Sequence, residues 1–551
     1  MLHSEYQNTQ KYKSTNIAFF LNSDYICTMI VCYDKFSEMI SKTKKHFNTI
    51  VFSLYLLCIF PQINAQTYYV DAQTGNDDNS GLSSTEAWKT LRQVNITTFK
   101  PGDSILFHSG HVWEGMLFPR GSGEEGQPIV VSKYGGDEQP KIHGGHNDPI
   151  VFEGIRTIQT VLLHNQQYWV ISDLEITNMP DNLINDFIDN GYEKRRGIFV
   201  VASDTGELRS ITIKNNYIHH VKGDDTKDFH GSGGIMLSVL GKKKPSFFNG
   251  VSIINNRVYM VNRTGIGISS YWQRRSNDQA FSRSWIDEMG SFQANLNVVI
   301  RGNDLKSIGG DGIVPQTSFK PVIEYNKVDS AASRSEAYNV GLWAWNSDSA
   351  LIQYNEVCNT MTVRDGMAFD CDAYSVGHIC QYNFSHNNMG GFLLIHGYSD
   401  DVPDAMNIGH IIRYNISMND GHRLIHFYGS GQTGSVIHNN LFYNENKAVV
   451  LIIVDGNPLD AQLTNNIFHI PEMAEWITSS TTLQISSNLA WLIFSDNFLL
   501  QKSIPENHEI EQTVQTDLYQ LLNQQKFNEQ LTETIHPEML RLFWYNLVTN
   551  K

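Results

Sequence analysis

Cysteine is scarce: of six in 551 residues, Cys27, Cys32 and Cys58 precede Ala65, leaving only Cys358, Cys371 and Cys380 after it. An odd set of three without metal-ligand spacing is no disulfide framework, so these read as small buried hydrophobes, with one Cys358 to Cys380 bridge left open. Positive charge is short too, with 41 Lys and Arg against 57 Asp and Glu and a net charge of −16. No basic run is available to neutralise phosphates, which excludes nucleic acid as a partner. Long apolar runs are missing: the stretch Ile50 to Phe60 is too short to span a bilayer as a helix and is ended by Pro61. Between residues 66 and 490 apolar residues never recur at helical spacing, so an α-helical fold is excluded as well.

What is present begins with punctuation. Lys42, Lys44 and Lys45 precede that apolar stretch, and Ala65 follows it as a small-residue stop. This is the pattern of a secretory signal, predicted over 39–65, and places the mature chain in the periplasm, outside the cell or on its surface, with no transmembrane segment after cleavage. Residues 1–38 read as an over-extended start. The rest divides into an N-terminal cap with the first coils over 66–150, a solenoid over 151–490, and a helical cap or tail over 491–551, where Leu and Phe return at helical spacing.

The solenoid is read from a repeat. An apolar-x-x-Asn-x-apolar phrase recurs with its Asn at 216, 256, 303, 326, 355, 383, 415, 440, 466 and 488, mostly 22 to 32 residues apart. Each unit holds short alternating apolar stretches and Gly or Asn turns, which predicts an all-β, single-stranded parallel β-helix. Asn suits one corner because it tolerates the left-handed backbone of a tight bend and its amide can bond to the copies above and below. A second phrase, Gly followed by alternating apolar residues, recurs at Gly197, Gly234, Gly265, Gly312, Gly341 and Gly391 and predicts one continuous sheet.

The opening TYYVDAQTGNDDNSG, then AWKTL, PGDSILFHSG, YWVISDLEITN and the Asn-corner coils resemble the secreted right-handed parallel β-helix proteins of the pectate-lyase-like superfamily. The resemblance covers about Thr67 to Leu489. It implies a right-handed coil, a capping segment that closes the open strand edge at the start, and in many members action on polysaccharides. It does not imply one reaction, since the superfamily holds hydrolases, lyases, epimerases and noncatalytic adhesins.

Aligning the Gly phrases predicts which side chains face out. Ile313 with Pro315, Leu342 with Ala344, and Phe392 with Leu394 take the inward side, and so do Phe369 and Cys371 in AFDCD. Asp370 and Asp372 then face outward together, their Cα atoms about 6.6 Å apart, a spacing that lets carboxyl groups sit at about 5 Å or splay to about 9 Å. Trp343 and Trp345 occupy the matching outward places one coil earlier and read as an exposed sugar platform. Asp311 and Asp365 precede their strands at the edge of the same surface, and His396 and Arg364 border it as substrate contacts. His386, His422 and His426 lack zinc-site spacing and read as structural. Arg274 and Arg275 read as a solvated insertion, and the GNDDNSG turn needs no ion.

Cleaving a glycosidic bond needs one protonated carboxyl and one ionised carboxylate, and two close aspartates push their pKa values apart to supply both. The polygalacturonase set of Asn-Thr-Asp, Asp-Asp, Gly-His-Gly and Arg-Ile-Lys is not complete here. The reading is therefore a secreted glycoside hydrolase acting on a polysaccharide or oligosaccharide. Asp370 and Asp372 form the acid/base pair and Asp311 and Asp365 are supporting acids; neither a cofactor nor a metal is required. Two alternatives stay open: a lyase in which Ca²⁺ sits on the aspartates and Arg364 removes a proton, and a noncatalytic glycan-binding adhesin.

Overall fold

The structure is a computed structural model, and it describes residues 65–500 except 153, 181–192, 228–230, 276–288, 398–406, 446–448, 459, 471–474, 480–491, 496 and 497. The predicted signal segment up to residue 64, the residues before it and residues 501–551 of the predicted tail lie outside the described residues, whereas Leu492–Ser495 and Phe498–Leu500, at the start of that tail, are strands of the first and third sheets and not helix. Short strands repeat three to a coil and stack into sheets of 15, 12 and 13 strands among the described residues, in parallel apart from the antiparallel pair Ile150–Phe152 with Ile155–His164, the arrangement of a parallel β-helix. The first sheet starts at the strand Thr67–Val70, paired with Ser104–His108. Helical structure among the described residues is confined to the turn Ser84–Glu86 and the short helix Leu91–Ile96, which buries Leu91 and Val94 against the core. No helix among them is long and apolar enough to cross a membrane.

The second sheet carries the feature that positions the site. Its inward column runs Ile198, Ile235, Ile266, Ile313, Leu342, Phe369, Leu393, Ile425 and Ile452, each paired with the next and each in one continuous core. Side chains alternate across a strand, so the residue after each of these faces out. The predicted parity holds for Phe369 and Cys371 and fails one coil later, where Leu393 and Ile395 pair with them and Leu394 points outward. Gly391 pairs with Met367 instead of Ala368, so Phe392 takes the place that Gly341 and Ala368 hold in earlier coils. The glycine phrase is thus displaced by one residue there: Leu393, Leu394 and Ile395 take the faces opposite to those predicted, while Phe392 stays in the core as predicted.

Asn216, Asn256, Asn303, Asn326, Asn355, Asn383, Asn415, Asn440 and Asn466 are all buried. Asn355 shows the pattern: the Asn326 backbone N–H and Nδ2 both donate to its Oδ1 at 3.0 Å, and its own Nδ2 donates to Ile323 O at 2.9 Å and Asn383 Oδ1 at 3.0 Å. The left-handed backbone lies one residue earlier than expected, at Asn215, Asn255, Tyr325, Tyr354, Tyr382, Tyr414, Asn439 and Asn465, all with φ between 54° and 58°. Bending at the preceding residue frees the ladder Asn to point its amide along the stack. Where that residue is Tyr, the rings stack at 5.0 to 5.2 Å from Tyr325 to Tyr414. Asn355→Ala leaves two buried donors of Asn326 unpaired, and should lower the unfolding free energy by about 2–4 kcal/mol. Urea titration checks this, and a loss under about 1 kcal/mol would show that the ladder is not a stability element.

Cys358, Cys371 and Cys380 are free thiols and buried, so the bridge left open by the sequence is absent. Burial pushes the Cys371 and Cys380 thiols up, away from the reactive thiolate.

Candidate active site

Two outward rows of the second sheet meet at the site. One runs Val314, Trp343, Asp370, Leu394 and His426 across five coils, and the other continues Trp345, Asp372, His396, Tyr428 and Asp455. Asp370 and Asp372 therefore share the outer face, as the alternation predicts. The surface at Asp370 is not open, however: this residue is only 3% exposed. Trp343, Val314, Val340, Met367 and Leu394 pack around that row as an outer apolar cluster, with Trp345 against them. Trp343 is 6% exposed, and its indole N–H donates to Asp311 Oδ1 at 3.0 Å. The expectation of an exposed Trp343 platform is thus corrected, because the ring is wedged between neighbours and its polar edge is used. Trp345 is half-buried, edge-on to Tyr374 at 6.2 Å, while Tyr428 is the exposed ring of the second row at 44%.

Three carboxyls occupy unlike environments. Burial, followed by the charges of Asp372 and Asp365, pushes Asp370 well above the ordinary aspartate range, and its Oδ1 has no hydrogen-bond partner among the described residues. Asp365 is half-buried in a turn ahead of its strand; burial raises it, the Asp372 charge adds to this, and Lys227, His396 and Arg423 oppose it without cancelling it. Asp372, also half-buried, has its Oδ1 2.6 Å from His396 Nδ1, and it accepts the Ala373 N–H at 2.6 Å. Those are contacts that a carboxylate makes.

The turn that presents Asp365 is tightly built. Asp365 and Gly366 both take left-handed φ, 59° and 61°, and a Cβ at Gly366 would collide with the Thr362 carbonyl, so only glycine fits. Arg423, buried two coils further on, donates to Val363 O at 3.2 Å and Asp365 O at 3.1 Å, which ties the turn to the sheet. Asp311 differs from the others. Burial opposes its charge, but Lys227, Arg263 and the Val340 N–H together hold it below the usual carboxylate range. The Arg263 ion pair is 2.5 Å and the Lys227 ammonium is 3.9 Å away, so Asp311 is a buried anchor instead of an acid at the surface.

Arg364 is exposed and lies on the ring of Tyr338 at 5.0 Å, donating to Glu336 O at 2.6 Å. Arg275 is engaged with Asp348 and Asn346, so it is a clamp and not a solvated side chain. His426 Nε2–H donates to Asp455 Oδ2 at 2.9 Å, and burial, helped by Arg423, brings it down to about 4, which leaves it neutral at pH 7. Sequence reading missed Lys227, Arg263 and Arg423. The two arginines carried a signal, since each stands at the entrance of a second-sheet strand, in VNRTGIGIS and GHRLIHF. Lys227 sits in an irregular polar stretch with no periodicity to place it.

Fold and site together define a parallel β-helix protein whose second sheet carries a cluster of aspartates in unlike environments on its outer face. Its likeness to known proteins is narrower than that class. Over 405 residues the chain is 27% identical to a lacto-N-biosidase of Bifidobacterium longum subsp. longum, covering 60% of this chain and 25% of that protein. The chain thus spans about a quarter of the length of the curated relative it matches. A GH136 lacto-N-biosidase from Eubacterium ramulus, as its selenomethionine derivative, superposes with a TM-score of 0.60 at 25% identity over 81% of this chain and 73% of that one. The native form gives 0.62 at 23% identity over 87% and 74%. No protein-family model matches the chain.

Proposed function

We propose that this protein is a glycoside hydrolase that cleaves an oligosaccharide ending in lacto-N-biose, the unit its relatives are named for, with Asp365 as proton donor and Asp372 as the ionised partner. The observation that carries the reading is the pairing of two half-buried aspartates in unlike settings: burial and the Asp372 charge raise Asp365, while Asp372 faces His396 at 2.6 Å. Asp365 then protonates the leaving oxygen, and Asp372 attacks the anomeric carbon or activates a water. Asp370, buried between them in sequence and raised furthest, stays neutral and positions its neighbours. His396 holds Asp372, and Tyr428, stacked on His396 at 5.1 Å, offers an aromatic face to a sugar ring. The relatives named above and the neutral carboxyl support hydrolysis over lyase chemistry, and Arg364, held on Tyr338, is poorly disposed to act as a base. The reading calls for no cofactor, and it takes the lysine-led segment before Ala65 as an export signal that brings the enzyme to glycans outside the cytosol.

The test is incubation of the purified chain with lacto-N-biose-terminated oligosaccharides and with uronate polysaccharides, following reducing ends and ultraviolet absorbance together. Release of the disaccharide with no unsaturated product is expected. Products absorbing in the ultraviolet, or sugar binding without any turnover, would replace the hydrolase by one of the alternatives.

A further inference from the structure

A second cluster of chemistry-bearing side chains lies on the third sheet, in the first coils, where the sequence reading assigned nothing. Glu114 ends the strand Val112–Glu114 and His143 ends Lys141–His143, and the two residues are direct register partners. Gly144 and Gly145 then turn the chain so that the His146 ring meets the His143 ring at 5.7 Å, nearly edge-on. A Cβ at Gly145 would stand 2.6 Å from His143 Nε2, so glycine is what lets the backbone pass this close to the imidazole.

We infer that Glu114, His143 and His146 form a binding site for a divalent transition-metal ion of the zinc type, which clips the turn after Lys141–His143 to the third sheet. One ligand atom from each of the three lies within 4.8 Å of the other two. A tetrahedral zinc with bonds of about 2.0–2.1 Å needs its donors about 3.4 Å apart. Glu114 and His146 are exposed and close that difference by side-chain rotation alone. His143 needs little adjustment: its Nδ1 is 2.7 Å from Thr177 Oγ1, which turns Nε2 toward Glu114 Oε2, 4.0 Å away. A hydrogen bond to the far ring nitrogen is the device that orients metal-binding histidines, and two imidazoles with one carboxylate suit zinc better than calcium. Three protein donors leave a fourth position for water.

Two other groupings of similar composition lack these properties. In Cys371, His378 and His410 the His410 Nδ1 accepts the His378 backbone N–H at 3.1 Å, and burial keeps the thiol protonated. In Glu356, Cys358 and His386 burial pushes the Cys358 thiol up, away from the thiolate that a metal takes.

The experiment uses the tag-free full chain, stripped with a chelator and titrated calorimetrically with Zn²⁺, alongside His146→Ala and Glu114→Gln. Both positions are exposed, so both variants should fold. The parent should take up one Zn²⁺ per chain and melt at higher temperature with it, and each variant should bind at least about tenfold more weakly. Co²⁺ in place of zinc should give the visible absorption of a four-coordinate site. An absence of stoichiometric uptake in the parent, or undiminished affinity in either variant, overturns the proposal and leaves a surface ion pair between Glu114 and His143.

Discussion

Asp365→Asn and Asp372→Asn should each lower turnover of a natural oligosaccharide by about 10²–10⁴-fold, the range in which a positioned acid or base acts. Asp370→Asn should cost less than about tenfold. The contrast follows from protonation. Asp370 is buried and raised well above an ordinary aspartate, which favours its neutral form, and an amide of nearly the same shape stands in for that form with little change. Asp365 must give up its proton in the transition state, which an amide cannot do. Its raised pKa keeps it protonated to higher pH than an ordinary aspartate, so activity should fall as pH rises through that value, and the alkaline limb should vanish in Asp365→Asn. A substrate with a good leaving group, an aryl glycoside, needs little protonation and should recover much of the lost rate in Asp365→Asn but not in Asp372→Asn. Steady-state kinetics on all three variants, with folding checked by thermal melting, decide the assignment. If Asp370→Asn abolishes turnover while Asp365→Asn does not, the proton donor is Asp370.

Arg263→Met should be the most damaging single change to stability near the site. It removes the 2.5 Å partner of Asp311 and leaves a buried carboxylate with only Lys227, at 3.9 Å, to balance it. Breaking one side of a buried ion pair costs about 3–5 kcal/mol, and Lys227 should keep the loss toward the lower end. Asp311→Asn should cost less, because Oδ1 can still accept the Val340 N–H and the Trp343 indole N–H. The pH dependence has a definite sign. A carboxyl held below its unfolded value of about 3.9 contributes stability that is fully present above that pH and is lost as pH falls through the lower folded value. Arg263→Met raises the folded value, so this contribution should disappear at neutral pH too. Urea titrations at pH 7 and at a pH below the unfolded value measure both effects. Equal midpoints for parent and variant at pH 7 would mean the pair is not needed to hold the turn.

Much of the architecture was legible because its causes are local and periodic. A buried Asn once per coil advertises the ladder, and two-residue alternation puts Asp370 and Asp372 on the outer face whatever surrounds them. Errors arose where periodicity breaks. One displaced glycine at Gly391 reversed the parity of Leu393 and Leu394 while Phe392 stayed inward, and no count of apolar residues distinguishes Gly391 from Gly341. The left-handed bend was assigned to the ladder Asn, although half the coils place a Tyr directly before it, a residue chosen for stacking and not for its backbone. Burial of Trp343 and Asp370 depends on side chains from other coils and on Lys227, contacts that a linear reading of one strand does not contain. The split between Asp365 and Asp372 was hidden for the same reason: their environments come from Arg423 and His396, which lie two windings and one winding further along.

Because each winding hands the same set of hydrogen bonds to the next, the scaffold has no intrinsic length. Duplicating the unit that carries Trp169, ahead of Lys227, would splice a new rung into the solenoid without moving Lys227 or Arg263 away from the aspartates they face. The same duplication at Asn383 would push Asp372 and His396 a storey apart. Evolution by copying is therefore free to extend this protein on one side of its chemistry and forbidden within it, so that length variation among its descendants should respect that frontier.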